Sequence, residues 1–364
     1  MSNNSVILTE EQPFNDFSYI PEMAKRIRDN GEPGMINTYN MQKFGRYGKS
    51  SPDAASLCNP CGEPPLENFE LCNLAETFPS RCKNAERFYK ALRHATYYAS
   101  TVALLPSHRP ETNEVIVRNR RIGVSISGIA QWATGFSHVD SDWGAMNYTK
   151  MTKFLREGYK IVKQENVRLA QQAGVPPSVR VTTIKPSGSI SLLAGCTPGV
   201  HYLVSRFAIR RMRIGKDSPL VDSLIKAKPP HEDDTYSDNT LFFLFAIDHG
   251  DVRSVEVVSP WEQFGIVSML QRCWADNMVS ATIYFDKHRD GDDIEKMLAM
   301  FIPVLKSVSM LPHSGLGYAQ APYEPIGEDQ YEQLKDAYQI PDFNEVKNNE
   351  PAGTKFCDGD TCAL

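Results

Sequence analysis

The stretch "SLCNPCGEPPLENFELC", residues 56–72, packs three of the chain's eight cysteines into seventeen positions. Glu63 lies two residues past Cys61. Within Asn59-Pro60-Cys61-Gly62-Glu63 an amide, a thiol and a carboxylate alternate with proline and glycine, so all three can project from one tight loop. A carboxylate next to a thiol repels the thiolate and raises the thiol pKa. That setting suits a thiol that reacts as a radical rather than as a nucleophile. Two other readings of the cysteines fit less well. A zinc site needs four ligands, but Cys72 and Cys82 stand ten apart with no histidine between them. A thioredoxin-like Cys-x-x-Cys opens a helix, which Pro64-Pro65 forbids here. Cys58 and Cys82 are expected to be inert loop thiols.

Working outward, the 364 residues are 41% hydrophobic and 23% charged, enough for a sizeable core. The formal net charge of −5 lacks the basic excess of a general nucleic-acid binder. Neither a signal peptide nor an apolar run of about 18 residues is present, so a cytoplasmic protein with free, catalytic or metal-bound cysteines is expected.

Hydrophobic periodicity predicts helices over 20–31, 80–105, 150–173, 261–279 and 292–309, and strands over 35–42, 179–184 and 280–286. Phe88, Leu92 and Tyr97 are placed on the apolar side of the second helix. Val6-Ile7-Leu8 reads as a short buried strand, 203–214 as basic and β-branched, and 227–239 as an exposed polar loop. Strands alternating with long helices define an α/β layout with parallel strands. No internal repeat is visible.

Lys185-Pro186-Ser187-Gly188-Ser189-Ile190 follows a strand and is expected to open an apolar helix, a place where backbone N–H groups face an anion. It lacks Walker A spacing, and taken alone it reads first as an ordinary serine N-cap. Asp286 to Gly291 spells D-x-H-x-x-G, a cobalamin motif of another kind of domain, but reads better as a strand-to-helix turn. From about 346 the chain is polar and ends in a cysteine pair, Cys357 and Cys362, which suggests thiol exchange from a flexible tail.

"NPCGE" with Cys72 downstream resembles the finger loop of ribonucleotide reductases. So do "RIRDNGEPGMIN" (26–37), "HRPETNEVIVRNRRIGVSISGI" (108–129), "TTIKPSGSISLLAGCTPGVH" (182–201) and "LPHSGLGYAQAPY" (311–323), in family order along nearly the whole chain. The resemblance is closest to the adenosylcobalamin-dependent (class II) type, especially the monomeric triphosphate reductases. It implies the C-terminal part of a ten-stranded α/β barrel over residues 1–345, with the finger loop at about 56–73 and a redox tail at 346–364. It implies a thiyl radical on Cys61, a general base in Glu63 and sugar contacts from Asn59. Cys72 matches one of two reducing cysteines, the loop 185–190 matches the substrate-phosphate loop, and Cys357 and Cys362 match a tail pair that re-reduces the site from thioredoxin.

"SNNSV" resembles a mid-chain segment of the family, and the second reducing cysteine has no counterpart here. The chain is therefore expected to be the C-terminal half of a split enzyme. Its expected partners are a second chain with the N-terminal half, a nucleotide substrate, a dNTP effector and thioredoxin, with no nucleic acid and no membrane. Three competing readings are weaker. A class I large subunit usually carries a paired tyrosine, where Tyr318 stands alone. A glycyl-radical reductase ends in a glycine motif. An inactive assembly fragment has no reason to keep Asn59, Cys61, Glu63, Cys72, Cys357 and Cys362.

Overall fold

A computed structural model describes residues 4–9, 18–134, 147–250, 252–313, 320–344 and 346. In chain order its strands are β1 (Ser5–Leu8), β2 (Gly34–Asn37), β3 (Leu57–Cys58), β4 (Pro65–Leu66), β5 (Leu74–Thr77), β6 (Gly123–Ile126), β7 (Phe207–Gly215), β8 (His231–Asp234), β9 (Ser237–Asp248), β10 (Thr282–Phe285), β11 (Ser307–Pro312) and β12 (Tyr323–Pro325). The chain divides into two compact units.

The larger unit, residues 1–203 and 251–316, is a helix-backed arc of strands. β5 pairs with β6 in parallel, and β6 is bridged in parallel to Thr182. Ile184 is bridged in parallel to Val279, whose segment runs on into β10. β10 pairs in parallel with β11, β11 antiparallel with β2, and β2 in parallel with β1. Two parallel sets thus meet at one antiparallel seam, Ser307 to Ile36 and Val308 to Met35. Each parallel step is bridged by helical chain, as βαβ geometry demands: Ile20–Asn30 between β1 and β2, Ala85–Val102 and Pro110–Asn119 between β5 and β6, Tyr148–Ala173 after β6, and Ile294–Phe301 between β10 and β11.

Apolar faces of these helices build the core. Phe88 and Leu92 of Ala85–Val102 meet Phe154 and Leu155 of Tyr148–Ala173 around the buried Trp132 and Trp274. A Cβ on Gly158 would stand 3.1 Å from Leu92 and 3.2 Å from Trp274, so the small residue sets how closely the long helix approaches.

The smaller unit, residues 204–250 and 317–364, is an antiparallel sheet in the order β12-β7-β9-β8. Phe243 of β9 packs on Val221 and Leu224 of the helix Val221–Ala227. Arg211 of β7 joins Glu232 of β8 and Glu324 of β12 across the sheet.

The helices at 20–30 and 148–173 stand as their patterns require, each closed by a glycine in the left-handed region, Gly31 and Gly174. The α/β alternation holds, and Asp286–Gly291 is a turn between β10 and a 3-10 segment, with the Asp286 carboxylate accepting from the His288 and Arg289 amides. Several expectations are corrected. Tyr97 is 58% exposed, because the helix Ala85–Val102 buries Phe88, Leu92, Thr96 and Ala99 instead. Residues 35–42 are half strand and half helix, since Asn37 caps a new turn over Thr38–Lys43. The helix expected to 309 stops at Phe301, just before Pro303, and 307–312 is β11. The helix expected to 279 stops at Cys273. Residues 227–239 are not an open loop: they carry β8 and the turn into β9. In β1, Val6 and Ile7 are exposed and only Leu8 is buried.

β6 enters its sheet through Gly123, where an added Cβ would fall 2.5 Å from Leu74 and 2.9 Å from Thr183. Gly123→Ala is therefore expected to destabilise the chain by about 1–3 kcal/mol through overpacking. Urea denaturation checks it, and an unchanged midpoint would contradict this packing.

Candidate active site

β3 and β4 form a two-rung hairpin, Leu57 opposite Leu66 and Cys58 opposite Pro65. The Asn59 amide donates to the Pro64 carbonyl at 3.2 Å, and the Asn59 side-chain oxygen accepts from the Glu63 amide at 3.0 Å. Gly62 lies at φ +71°, a backbone state that a side chain would strain, and it lets Cys61 and Glu63 face different ways across one tight turn. The tip is pinned from outside. The Glu63 carbonyl accepts from the Thr183 hydroxyl at 2.6 Å and the Met278 amide at 2.9 Å, and the Ser307 hydroxyl donates to the Gly62 carbonyl at 3.4 Å.

The base of this loop is closed by one arginine. Arg121 donates to both Asp53 carboxylate oxygens, at 2.8 and 2.9 Å, and to Glu70 at 2.8 Å. Asp53 precedes the hairpin and Glu70 follows it, and the three side chains are each 2% exposed. Arg180 also donates to Asp53, at 3.0 Å, and to the Ser51 carbonyl at 2.6 Å. Burial alone would raise the Asp53 pKa, but the hydrogen bonds and charges of Arg121 and Arg180 outweigh it and hold the group below the usual carboxylate range.

Electrostatics at the tip run the other way. Glu63 is 3% exposed, and its Oε2 is buried without a hydrogen-bond partner. Burial raises its pKa against the opposing pull of Asn59, the backbone and Lys185. Burial, then Glu63, pushes the Cys58 thiol up to about 11 and the Cys72 thiol to about 12, with Lys185 opposing at Cys72. Cys61 moves up for the same two reasons. Its residue is exposed, and together with Cys58, Asn59 and Gly62 it borders a cleft of about 620 Å³ whose other walls are Pro186, Ser280–Thr282, Ser307–Ser309 and the seam residues Met35 and Ile36. Asn59 Nδ2 stands 3.9 Å from Cys72 Sγ.

Of the expected phosphate loop, Pro186 lines this cleft. The helix it opens is a single turn, Ile190–Leu193, with Leu193 88% exposed, so the expected apolar helix is corrected to one surface turn. The loop offers donors instead: Ser187, at φ +54°, is buried with an unpartnered Oγ, and Thr197 Oγ1 is also buried and unpartnered. The Lys185 amide donates to the Ser125 hydroxyl at 2.9 Å, and its ammonium stands 3.6 Å from Glu76. Gly188 and Ser189 lie between these groups and the turn, and Ile190 starts it.

The structure thus brings Asn59, Cys61, Glu63, Cys72 and Lys185 together. Cys357, Cys362 and Tyr318 lie outside the described residues. Cys58, set aside as inert, borders the cleft. Sequence reasoning missed Glu76 and the clasp of Asp53, Glu70, Arg121 and Arg180, whose members are far apart in the chain.

Comparison with known proteins defines the class. A solved B12-dependent (class II) ribonucleotide reductase superposes with a TM-score of 0.78 at 31% identity, covering 94% of this chain and 50% of that one. The class Id α subunit of Actinobacillus ureae shares the fold alone, with a TM-score of 0.57 at 13% identity over 85% of this chain and 65% of that one. Among curated proteins, adenosylcobalamin-dependent ribonucleoside-triphosphate reductases match throughout: that of Euglena gracilis is 38% identical over 99% of this chain and 49% of its own length. That of Lactobacillus leichmannii is 32% identical over 100% of this chain and 53% of its own length. No family model matches the chain. Over nearly its whole length the chain is similar to adenosylcobalamin-dependent (class II) ribonucleotide reductases, and it spans about half the length of the curated relatives it matches.

Three outcomes follow. Arg121→Met removes the cation shared by two buried carboxylates, leaving Asp53 with Arg180 and Glu70 with the Asn119 amide, and a loss of about 3–5 kcal/mol is expected in urea denaturation. Asp53 has a lowered folded pKa, so its contribution is present above an unfolded pKa of about 4 and lost as pH falls below it; Asp53→Asn should flatten the acid limb of stability against pH. Glu63 has the opposite sign, its raised folded pKa costing stability as pH rises through it. Glu63→Gln should therefore raise the urea midpoint at pH 7 and speed alkylation of Cys58 and Cys72 at pH 8. An unchanged alkylation rate would remove Glu63 from the control of these thiols.

Proposed function

We propose that this chain is the catalytic half of a ribonucleoside-triphosphate reductase that converts ribonucleotides to 2′-deoxyribonucleotides by thiyl-radical chemistry. The observation that carries the reading is an exposed Cys61 on the cleft that Pro186 borders, two residues from a buried, partnerless Glu63 carboxylate oxygen, both on a hairpin tip clasped at its base. The relatives' names bring adenosylcobalamin to the proposal. The cleft residues fit the reactive end of that cofactor: Gly62, Ser280, Ala281 and Ser307 are small, and about 620 Å³ takes a nucleoside-sized group beside Cys61. When bound, the cofactor supplies an organic radical that can take a hydrogen atom from a thiol.

The chain's own residues do the rest. The raised pKa keeps Cys61 as a thiol, the form that yields a neutral thiyl radical, and this radical takes the 3′ hydrogen atom of the ribose. Glu63 receives the 3′-hydroxyl proton at Oε2, a group whose raised pKa brings it nearer the pH of the reaction. Asn59 has its oxygen committed to the Glu63 amide, which leaves Nδ2 to donate to a sugar hydroxyl. Cys72, within reach of the same amide, serves as one of two reducing thiols at the 2′ carbon. Lys185 and the unpartnered Ser187 Oγ, with the backbone of Pro186, Gly188, Ser189 and Ile190, form the substrate-phosphate side.

Within this proposal residues 1–345 are part of a ten-stranded barrel and 56–73 its finger loop. The support is the continuous pairing through seven extended segments, whose two end strands, β1 and β5, pair on one side only among the described residues. The remaining strands and the second reducing thiol come from the rest of the family's length, on a second chain or on more of this one. Thioredoxin, acting through Cys357 and Cys362 of the tail at 346–364, and a dNTP effector complete the set of partners. Among the described residues no helix is long and apolar enough to cross a membrane, and free thiols suit a cytoplasmic setting.

The test uses the chain together with that other half. Cys61→Ser should abolish both deoxynucleotide formation and hydrogen exchange between cofactor and solvent. Cys72→Ser should keep the exchange and stop turnover. Serine at both 357 and 362 should leave one round of reduction intact and block later rounds driven by thioredoxin, with partial rescue by a small dithiol. Full activity in Cys61→Ser would refute the assignment.

A further inference from the structure

The 3-10 turn Pro79–Arg81 and the first three turns of the helix Ala85–Val102 border a shallow, open groove of about 580 Å³. Its lining is Arg81, Cys82, Lys83, Arg87, Lys90, Ala91 and His94: four full positive charges, a histidine and no carboxylate. On the helix, Arg87, Lys90, Ala91 and His94 recur at intervals of three and four and so share one face. The helix's first turn has one acid, Glu86, which is not part of the lining. Elsewhere on this surface cations are commonly paired, as Arg26 is with Glu22 and Arg168 with Glu165. Among the described residues Lys83, Arg87, Lys90 and His94 have no ion-pair partner, and all four are exposed. In a chain of net charge −5, such a concentration of unpaired cations in one hollow needs an anion.

The hollow is tied to the substrate side. The Arg81 guanidinium donates to the Ala194 carbonyl, just beyond the turn Ile190–Leu193, and Ser80 Oγ meets Cys196 Sγ at 3.2 Å. We propose that this groove binds the polyphosphate chain of a nucleotide and gathers triphosphates next to the 185–190 loop. The chemistry favours a chain of phosphates over a single one. Four cations spread along a helix face and its preceding turn match several charges in a row, and each neutralised phosphate adds to affinity and to its salt dependence. The groove is separate from the reaction's thiols and does not rest on their assigned roles.

The experiment is lysine footprinting of the full chain. Limited acetylation is read by mass spectrometry with inorganic tripolyphosphate, ATP or orthophosphate at equal concentration and low salt. Tripolyphosphate and ATP are expected to protect Lys83 and Lys90 at concentrations at least tenfold below those orthophosphate needs, with protection fading as salt rises. In Arg87→Glu/Lys90→Glu, both exposed positions, protection of Lys83 should weaken by tenfold or more while circular dichroism is unchanged. Lys185 serves as the internal reference: protection confined to Lys185 would support the substrate loop and overturn the groove. Equal protection by orthophosphate, or unaltered protection of Lys83 in the double variant, would overturn it as well.

Discussion

Arg121 holds the molecule's chemistry in place. One guanidinium grips Asp53 on the way into the hairpin and Glu70 on the way out, so the legs of the loop are shut at their root by a group in the core. Arg180 adds a second positive charge, so two carboxylates face two guanidiniums and the buried charge closes. Lys306, packed nearby, is pushed well below the usual lysine range by burial and by Arg180, and donates to the Asp276 and Asn277 carbonyls. The same Asp276 accepts from the Val181 and Thr182 amides, which fixes the strand that carries Thr183 and hence the Glu63 carbonyl. A loop this short, with only two rungs of its own, takes its rigidity from these contacts at its root and tip.

Rigidity at the root lets the tip hold an unfavourable arrangement. Glu63 sits buried with an unsatisfied oxygen among three thiols, and after burial its charge makes each of them harder to ionise. As a nucleophile such a thiol is poor, since the thiolate is the reactive form. For hydrogen-atom transfer the protonated thiol is the useful one. The unsatisfied carboxylate at the tip and the strength of the clasp are two parts of one design, stability given up beside Cys61 and recovered a few residues away.

The α/β alternation and the long helices were legible because each rests on local periodicity and a glycine stop. The active loop was legible because its thiol, amide and carboxylate are contiguous. What escaped has a common cause. The clasp joins positions 53, 70, 121 and 180, and nothing in the run "RNRR" marks which arginine turns inward. Tyr97 was misplaced because the buried stripe of its helix runs through Phe88, Leu92, Thr96 and Ala99, and position 97 falls one residue to its side. The hairpin at 231–248 was hidden by the acids of "HEDD", which pair with Arg211 and Arg213 across the sheet instead of facing water alone. The D-x-H-x-x-G stretch shows the reverse error avoided: the Asp286 carboxylate is spent on the amides of its own turn.

The seam between β2 and β11 bears on how the protein comes to be competent. Each parallel set is assembled from neighbours in sequence, whereas the seam unites strands about 270 positions apart. Met35, Ile36, Ser307 and Val308 are at once the seam and the floor of the cleft under Cys61. A partly folded chain can therefore own all of its thiols and still have no chamber in which to use them. The cleft beside Cys61 is therefore complete only when the most distant parts of the sequence have met.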